Sequence, residues 1–513
     1  MSGIAGTLAG MIEGVAASHP NVTALIDDAG SLTFSELRQR VRATAVLTNE
    51  LLSPDVRVAV IGSNHRVWAE LYYGVPAAGR TLVFLNHRLH PREVISMIER
   101  SGAGIVVGEI GELDRLRDAG VELPMFDWQT WSDLVDGFDG APALTPVDPE
   151  IPAWLLFTSG TTAAPKGALL THRSILAAVD ASARARPVDV DDVYVFPFPL
   201  CHVAGYNVVH RHAHGRPVVL MTGFAAAEFC DIVEREQVRS TSLAATMLAT
   251  LVDLIDAEPH RVVQLQSLRS IAYGAAPMPT PLLRRADALL DVDFAQGYGM
   301  TELSGNAVFL NAGAHRRGLA GDAELLEAAG QPAPGVDLRL VDDEGNEVES
   351  GEVGEILIRA PQVMLGYLND QEATEAALQD GWLHTGDMGR MVDGWLHVVD
   401  RKKDIIITGG ENVSSLEVEA AVLEHPNVAR VAVVGVPDPK WGENVCAVVV
   451  ASSASEIDPV EIVAFVRQTL AGFKVPRHIV VVDELPVTGS GKVVKAEIRE
   501  RLARNPELLG KRL

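Results

Sequence analysis

The sequence predicts an α/β fold: a large N-terminal domain of mainly parallel sheets with helices plus a β-rich subdomain, and a small mobile α+β C-terminal domain. Three observations carry this expectation. The 513 residues are too many for one hydrophobic core. The first half alternates short β-type runs with helical patterns, and from about residue 330 short strands and tight turns take over.

Taken in order, VRVAVIGS (56–63) reads as a buried strand, HRVWAELYYGVPAAG (65–79) as a helix ending on glycine, and TLVFLN (81–86) as a second strand. PREVISMIERSGAGIVVGE (91–109) gives a helix, a glycine stop and a third strand. Strand, helix and strand at this spacing make βαβ units and therefore parallel pairing. VDLRLVDDEGNEV (336–348), GEILIRA (354–360) and GWLHVVDR (394–401) supply the β-rich part, with Asp-Glu-Gly-Asn and Val-Asp-Gly-Trp as hairpin signals. The tail reads as a helix at 415–424, strands at 428–435 and 445–451, a helix at 459–470 and a strand at 478–482. The polar DRKKD lies between hydrophobic runs and marks a boundary. The expected layout is an N-terminal domain over 1–399 (its β-rich subdomain about 330–399), a hinge at 400–404 and a C-terminal domain over 405–513. There is no internal repeat or low-complexity tract.

Composition narrows the function. With 47% hydrophobic and 22% charged residues the chain reads as a globular protein. A formal net charge of -25 opposes non-specific binding to nucleic acid or anionic membrane, leaving only local basic sites for small anions. Cys201, Cys230 and Cys446 are too scattered for a disulfide framework or a zinc site, which suits a reducing compartment. The N-terminus lacks a basic segment and carries Glu13, and no uncharged apolar run approaches the ~18 residues of a membrane span. The final Lys-Arg-Leu only loosely matches a peroxisomal address. The expectation is a cytoplasmic protein with no integral membrane segment and no nucleic-acid partner, a monomer or a homodimer.

Five stretches carry chemistry. TSGTTAAPKG (158–167) offers hydroxyls from Thr158, Ser159, Thr161 and Thr162, amides around Gly160, and Lys166, the makings of an anion nest; it lacks the order of a Walker P-loop. A solvated turn between a strand and a helix would explain it as simply. QGYGMTE (296–302) puts Thr301 and Glu302 after two glycines, a pair suited to phosphate and Mg²⁺ or to a glycine loop capping a strand. HTGDMG (384–389) sets Asp387 in an apparent tight turn, where an Asx turn is the ordinary reading. DRKKDIIITGGENVSSLEVE (400–419) joins a charge cluster, a strand, two glycines and a helix capped by Ser415 or Ser414. LPVTGSGKVVKAEIRE (485–500) presents Lys492 after a Gly-Ser-Gly turn, either a surface lysine or one able to reach an anion.

This ordered set resembles the adenylate-forming superfamily of acyl-CoA synthetases, nonribosomal-peptide adenylation domains and luciferases. The resemblance runs from TALIDDAGSLTFSELRQR (23–40) through PLCHVAG (199–205) and YGAAP (273–277) to the terminal lysine loop. It implies an acid–thiol ligase that activates a carboxylic acid with ATP and Mg²⁺, releases pyrophosphate, and passes the acyl group from AMP to coenzyme A. By similarity, residues 158–167, including Gly167, would hold the β- and γ-phosphates, Thr301 the α-phosphate and Glu302 the Mg²⁺. Asp387 would take the ribose hydroxyls with Arg401 nearby. Tyr298, between Gly297 and Gly299, would stack on adenine. Gly274, Ala275, Ala276 and Pro277 would line the nucleotide and acyl sites. Lys492 would bridge carboxylate and α-phosphate, Lys403 would be the hinge residue, and Gly409 and Gly410 would line the pantetheine channel. His202 matches the motif histidine near the acyl site, whose pocket would include Ala204, Tyr206, Gly299 and Met300.

The stretch HVAGYNVVHRHAHG (202–215) has no acidic residue to pair a substrate ammonium, so amino acids are disfavoured. A fatty acid is the leading expectation; aryl and alicyclic acids stay open, with Tyr206 and Asn207 able to shape a polar end. Coenzyme A is preferred to a carrier protein because no carrier-like segment follows residue 513. A non-catalytic nucleotide binder is the competing class, supported only by Ala163 where the family usually has glycine.

Overall fold

The computed structural model describes residues 6–138, 140–158, 165–274, 278–408, 411–452, 457–488 and 492–509. By contact density the chain divides into two compact units, Met1–Asp337 with Ile358–Leu383, and Leu338–Leu357 with His384–Leu513. The polar segment 400–404 lies inside the second of these.

The first unit contains two large sheets. One has seven strands, ordered Gly366–Tyr367, Lys166–Thr171, Pro152–Thr158, Leu82–Leu85, Arg57–Ile61, Ala103–Gly108 and Met125–Asp127. Pairing is parallel from Pro152–Thr158 through Met125–Asp127 and antiparallel on the other side. The expected βαβ units are here: helix Arg66–Ala77 connects Arg57–Ile61 to Leu82–Leu85, and Pro91–Ser101 leads into Ala103–Gly108. Gly102 ends the latter helix at φ 66°, a left-handed cap that costs glycine no Cβ clash. Helix Arg66–Ala77 is buried all round because it carries Trp68, Tyr72 and Tyr73 into a core shared with Phe84 and Trp154.

The second sheet of this unit has nine strands, ordered Gln331–Pro332, Gly305–Leu310, Asp293–Met300, Ser270–Gly274, Ser240–Ser242, Tyr194–Phe196, Val218–Leu220, Thr23–Asp27 and Gly30–Thr33. Its middle is parallel and its edges are antiparallel. In such sheets ligands gather beyond the carboxyl ends of parallel strands. Thr158, Gly274 and Met300 each end a strand of this kind.

In the second unit, residues 387–392 of strand Trp382–Val392 pair antiparallel with Trp395–Arg401, the Val-Asp-Gly-Trp signal forming their turn with Asp393 at φ 49° and Gly394 at φ 81°. The α+β tail builds a sheet in which Gly442–Ala451 lies between Val428–Asp438 and Ile406–Thr408 and also pairs with His478–Val481. The expected helix over 459–470 stops at Val466. Gln468 and Thr469 donate instead to Phe465 and Val466, three residues back, which tightens the last turn.

Candidate active site

In the first unit, strands Pro152–Thr158 and Lys166–Thr171 are antiparallel partners, and Thr158 faces Lys166 in the register. Thr158 Oγ1 donates to the Lys166 carbonyl at 3.4 Å. The stretch 158–167 therefore joins two strands, correcting the strand-to-helix reading. The helix starts later, at His172, where Thr171 and Ser174 cap each other reciprocally. Both ends of the connection, Thr158 and Lys166, are thus fixed by the ladder. Ser159, Gly160, Thr161, Thr162 and Ala163 lie outside the described residues, as do Ala275, Ala276, Pro277, Gly409 and Gly410.

The QGYGM residues form the end of strand Asp293–Met300, with Thr301–Leu303 a following 3₁₀ turn. This corrects the picture of a glycine loop. The glycines sit inside a ladder because their neighbours leave no room: a Cβ on Gly297 would lie 2.1 Å from the side-chain Nδ2 of Asn306, and one on Gly299 2.1 Å from the Gly305 backbone oxygen. Gly274 pairs with Gly297, and a Cβ there would stand 2.5 Å from the Gly297 oxygen. Tyr298 and Met300 are half-buried on the same strand.

Glu302 is buried at the 3₁₀ turn, and its Oε1 accepts from the Tyr367 hydroxyl at 2.9 Å. Lys166 Nζ stands 5.1 Å from the centroid of the Tyr367 ring. Burial, and then the Glu302 carboxylate, push the Tyr367 phenol well above its ordinary range, so it stays a donor. Gln362, almost fully buried, donates to the carbonyls of Leu303 and Asn306 at 2.9 and 3.0 Å, and the Met364 amide donates to the Glu302 carbonyl at 2.8 Å. Sequence reading missed Gln362 and Tyr367; the only signal was a Gly-Tyr pair between apolar runs.

The PLCHVAG stretch is held from helix Arg66–Ala77 and the turn before it. Asn64 donates to the carbonyls of Phe198 and Met221 at 2.7 and 2.8 Å and accepts from the Leu200 amide at 2.8 Å. The Tyr72 hydroxyl donates to the Leu200 carbonyl. His202 opens the 3₁₀ turn Val203–Gly205, with Ala204 half-buried beside it. Tyr206 is buried and its hydroxyl accepts from Ser182 at 3.2 Å and Arg186 at 3.4 Å, while Arg186 also donates to Asn207 Oδ1 at 3.0 Å. Neither Asn64 nor Arg186 stood out in the sequence.

In the second unit Asp387 faces Arg401 across the hairpin, with Arg401 Nε 3.2 Å from Asp387 Oδ1. Asp387 lies within a strand, not in an Asx turn, and follows Gly386, which has φ 69°. Ser414 is the helix cap, accepting from the Glu417 amide, and Ser415 turns instead to Asp400. Asp404 is paired with Arg499 at 2.6 Å, and Lys403, between these anchors, is exposed. Lys492 is exposed at the foot of a hairpin: its amide donates to Thr488 Oγ1 at 3.1 Å, and Val487 bridges to Val493.

No cluster of three or more His, Cys, Asp or Glu suited to a metal occurs among the described residues. Mg²⁺ on a nucleotide needs only one or two protein carboxylates, with phosphate and water completing its shell. Glu302, one oxygen engaged by Tyr367, fits that requirement. The thiols of Cys201, Cys230 and Cys446 are buried and pushed up to about 12, 11 and 12, so none supplies a thiolate at neutral pH.

A sequence model described as AMP-binding enzyme matches residues 12–368, and one described as AMP-binding enzyme C-terminal domain matches 417–492. The chain belongs to the AMP-binding enzyme family. Among curated relatives of this AMP-binding enzyme, a feruloyl-CoA synthase of Amycolatopsis sp is 37% identical over 496 residues, covering 94% of this chain and 96% of that one. A fatty acid–[acyl-carrier-protein] ligase of Streptomyces coeruleorubidus, ScoC, is 34% identical over 500 residues, covering 94% of each. The structure of o-succinylbenzoate coenzyme A synthetase from Bacillus subtilis with ATP and magnesium ion superposes with a TM-score of 0.84 at 28% identity, covering 96% of this chain and 99% of that one. The AMP-binding enzyme fold, the AMP-forming acid–thiol ligase class and the ATP, Mg²⁺ and coenzyme A requirement expected from the sequence agree with these findings. Among the described residues, no helix is long and apolar enough to cross a membrane.

Proposed function

We propose that this ligase makes the coenzyme A thioester of a carboxylic acid whose far end carries a polar group, a substituted aryl or alicyclic acid being the best fit. The substrate carboxylate attacks the α-phosphorus of ATP, forming an acyl–phosphate bond and expelling pyrophosphate. The coenzyme A sulfur then attacks the acyl carbon and AMP leaves, the thiol proton passing to solvent. Two anions must meet in the first step, so fixed cations and donors around the phosphates carry much of the catalysis. Thr158, Lys166, Gly167, Thr301 and Glu302 take the phosphate and Mg²⁺ roles, Asp387 and Arg401 the ribose, Tyr298 the base, and Lys492 the bridging role in adenylation. Residues 400–404, with Lys403, act as the hinge between half-reactions, and a cytoplasmic setting suits three free buried thiols.

The observation favouring a polar-ended acid is Arg186. Among the described residues no carboxylate lies within ion-pair reach of it; its Nη2 donates to the neutral Tyr206 hydroxyl and Asn207 Oδ1, in the stretch that follows His202, its guanidinium stands 5.8 Å from the Phe309 ring centroid, and its buried Nε meets no acceptor. A cation without a counter-charge favours a polar group on the substrate over a terminal methyl. The likeness to a feruloyl-CoA synthase supports the same choice. A fatty acid is the second reading, favoured by the small Ala204. Thioester formation across hydroxylated aryl, alicyclic and fatty acids decides between them. Preference for the polar-ended acids, reduced in Arg186→Leu, is expected; preference for fatty acids with no effect of Arg186→Leu would sink the aryl reading. Adenylate trapped by hydroxylamine with no thioester formed would move the acceptor to a carrier protein.

A further inference from the structure

Tyr367 belongs to none of the motifs singled out in the sequence, yet it touches two of them. Its hydroxyl donates to Glu302 Oε1 at 2.9 Å while Lys166 Nζ stands 5.1 Å from its ring centroid. The backbone on either side is tied to the same two places: the Met364 amide donates to the Glu302 carbonyl and the Leu368 amide to the Gly167 carbonyl, both at 2.8 Å. The residue is itself fixed, its amide donating to Thr374 Oγ1 at 2.8 Å. Gly366, at φ 152°, packs so closely that a Cβ there would meet Thr374 Cγ2 at 2.8 Å. Segment 362–368 therefore spans the hairpin of Pro152–Thr158 and Lys166–Thr171 and the Thr-Glu turn, and the Tyr367 side chain contacts both.

We propose that Tyr367 is a positioning residue for the Mg²⁺–nucleotide site: its hydroxyl fixes the Glu302 carboxylate, leaving Oε2 for the metal, and its ring steadies the Lys166 ammonium. The inference rests on the nucleotide-binding reading above. The two contacts separate chemically. A hydroxyl on one carboxylate oxygen restricts its rotation and so governs how well the other oxygen meets a metal that demands near-ideal geometry. The ring face attracts the ammonium by its quadrupole, which concerns the phosphates whether or not Mg²⁺ is present.

The test is ATP binding to the full chain without acid or coenzyme A, so that no turnover occurs, read by calorimetry while Mg²⁺ is titrated. Tyr367→Phe is expected to raise the Mg²⁺ concentration for half-maximal effect by about tenfold, the worth of one hydrogen bond to a charged group. Mg²⁺-free ATP binding should stay at the wild-type value, because the ring remains. Tyr367→Leu should weaken Mg²⁺-free binding as well. In a Glu302→Gln background, Tyr367→Phe should add nothing to the Mg²⁺ midpoint, since the two act as one unit. A wild-type midpoint in Tyr367→Phe, or full additivity with Glu302→Gln, overturns the proposal. If Tyr367→Phe loses its cooperative melt, Lys166→Met reads the other contact: it must weaken Mg²⁺-free binding without moving the midpoint, and a moved midpoint counts against the proposal. Failure of the wild-type chain to bind ATP at all would instead overturn the nucleotide-binding reading beneath it.

Discussion

Asp400 Oδ2 accepts both the backbone amide and the hydroxyl of Ser415, each at 2.6 Å. Its other oxygen accepts the Arg401 amide at 2.7 Å, and Lys495 Nζ reaches the Ser415 hydroxyl and, at 2.8 Å, the Glu419 carboxylate. A buried carboxylate is thereby satisfied by the next residue of its own strand and by the first residue of helix Ser415–Leu423, which sets the start of the 400–404 segment.

Ser415→Ala removes one charge-assisted bond from that carboxylate and one acceptor from Lys495. A loss of about 2 kcal/mol is expected, seen as a lower denaturant midpoint at unchanged slope. An unchanged midpoint would show that Asp400 is not held this way.

With Lys492 in the bridging role proposed above, Lys492→Ala removes the cation that would relieve repulsion between carboxylate and α-phosphate. Pyrophosphate exchange is expected to fall by ~10²–10³, while chemically prepared acyl-adenylate still yields thioester with coenzyme A. Exchange at the wild-type rate would remove Lys492 from the reaction.

Asp387→Asn keeps the shape of the residue paired to Arg401 but removes the charge that the proposed ribose contact requires. The KM for ATP should rise about tenfold, and the penalty should shrink with a deoxyribose nucleotide that lacks one of the hydroxyls. An equal penalty on both nucleotides would place Asp387 elsewhere than on the sugar.

Gly297→Ala drives a methyl into Asn306, at a cost of about 1–3 kcal/mol for overpacking. Asn306→Ala removes the opposing amide group, so the double variant should regain thermal stability over Gly297→Ala alone. No recovery would mean that the strand backbone, rather than this side chain, sets the need for glycine.

His172, His212 and His315 are buried, and burial lowers each to about 4, against an ordinary 6.5. Between those values the unfolded chain binds more protons, so stability is full above pH 6.5 and falls as pH drops toward 4, by up to ~1.4 kcal/mol per pH unit for each histidine. Glu70 and Glu419, raised by burial, act in the opposite sense. His212→Gln should therefore flatten the dependence of melting temperature on pH between 7 and 5; an unaltered slope would show that His212 is already charged in the native chain.

Much of the architecture was legible because period and punctuation are local. The run at 56–109, with its glycine stop at Gly102, has the pattern of one strand, helix and strand after another, and the structure follows it within a residue or two. The glycines of QGYGM were harder, since a glycine that yields to a ligand and one that yields to Asn306 or Gly305 look alike in sequence. The segment after Lys166 was misread for a related reason: GALLTH has no breaker, and only pairing with Pro152–Thr158 makes it a strand. Tyr367 and Gln362 could not have been singled out, because their meaning lies in partners some sixty residues away or more.

The three sealed thiols have a practical side. A coloured thiol reagent added to the native enzyme would meet little but the substrate's own sulfhydryl, so consumption of coenzyme A can be followed continuously without a protein background. A single cysteine placed at Val190, 82% exposed, would for the same reason carry a fluorophore at one defined position on an otherwise unreactive chain.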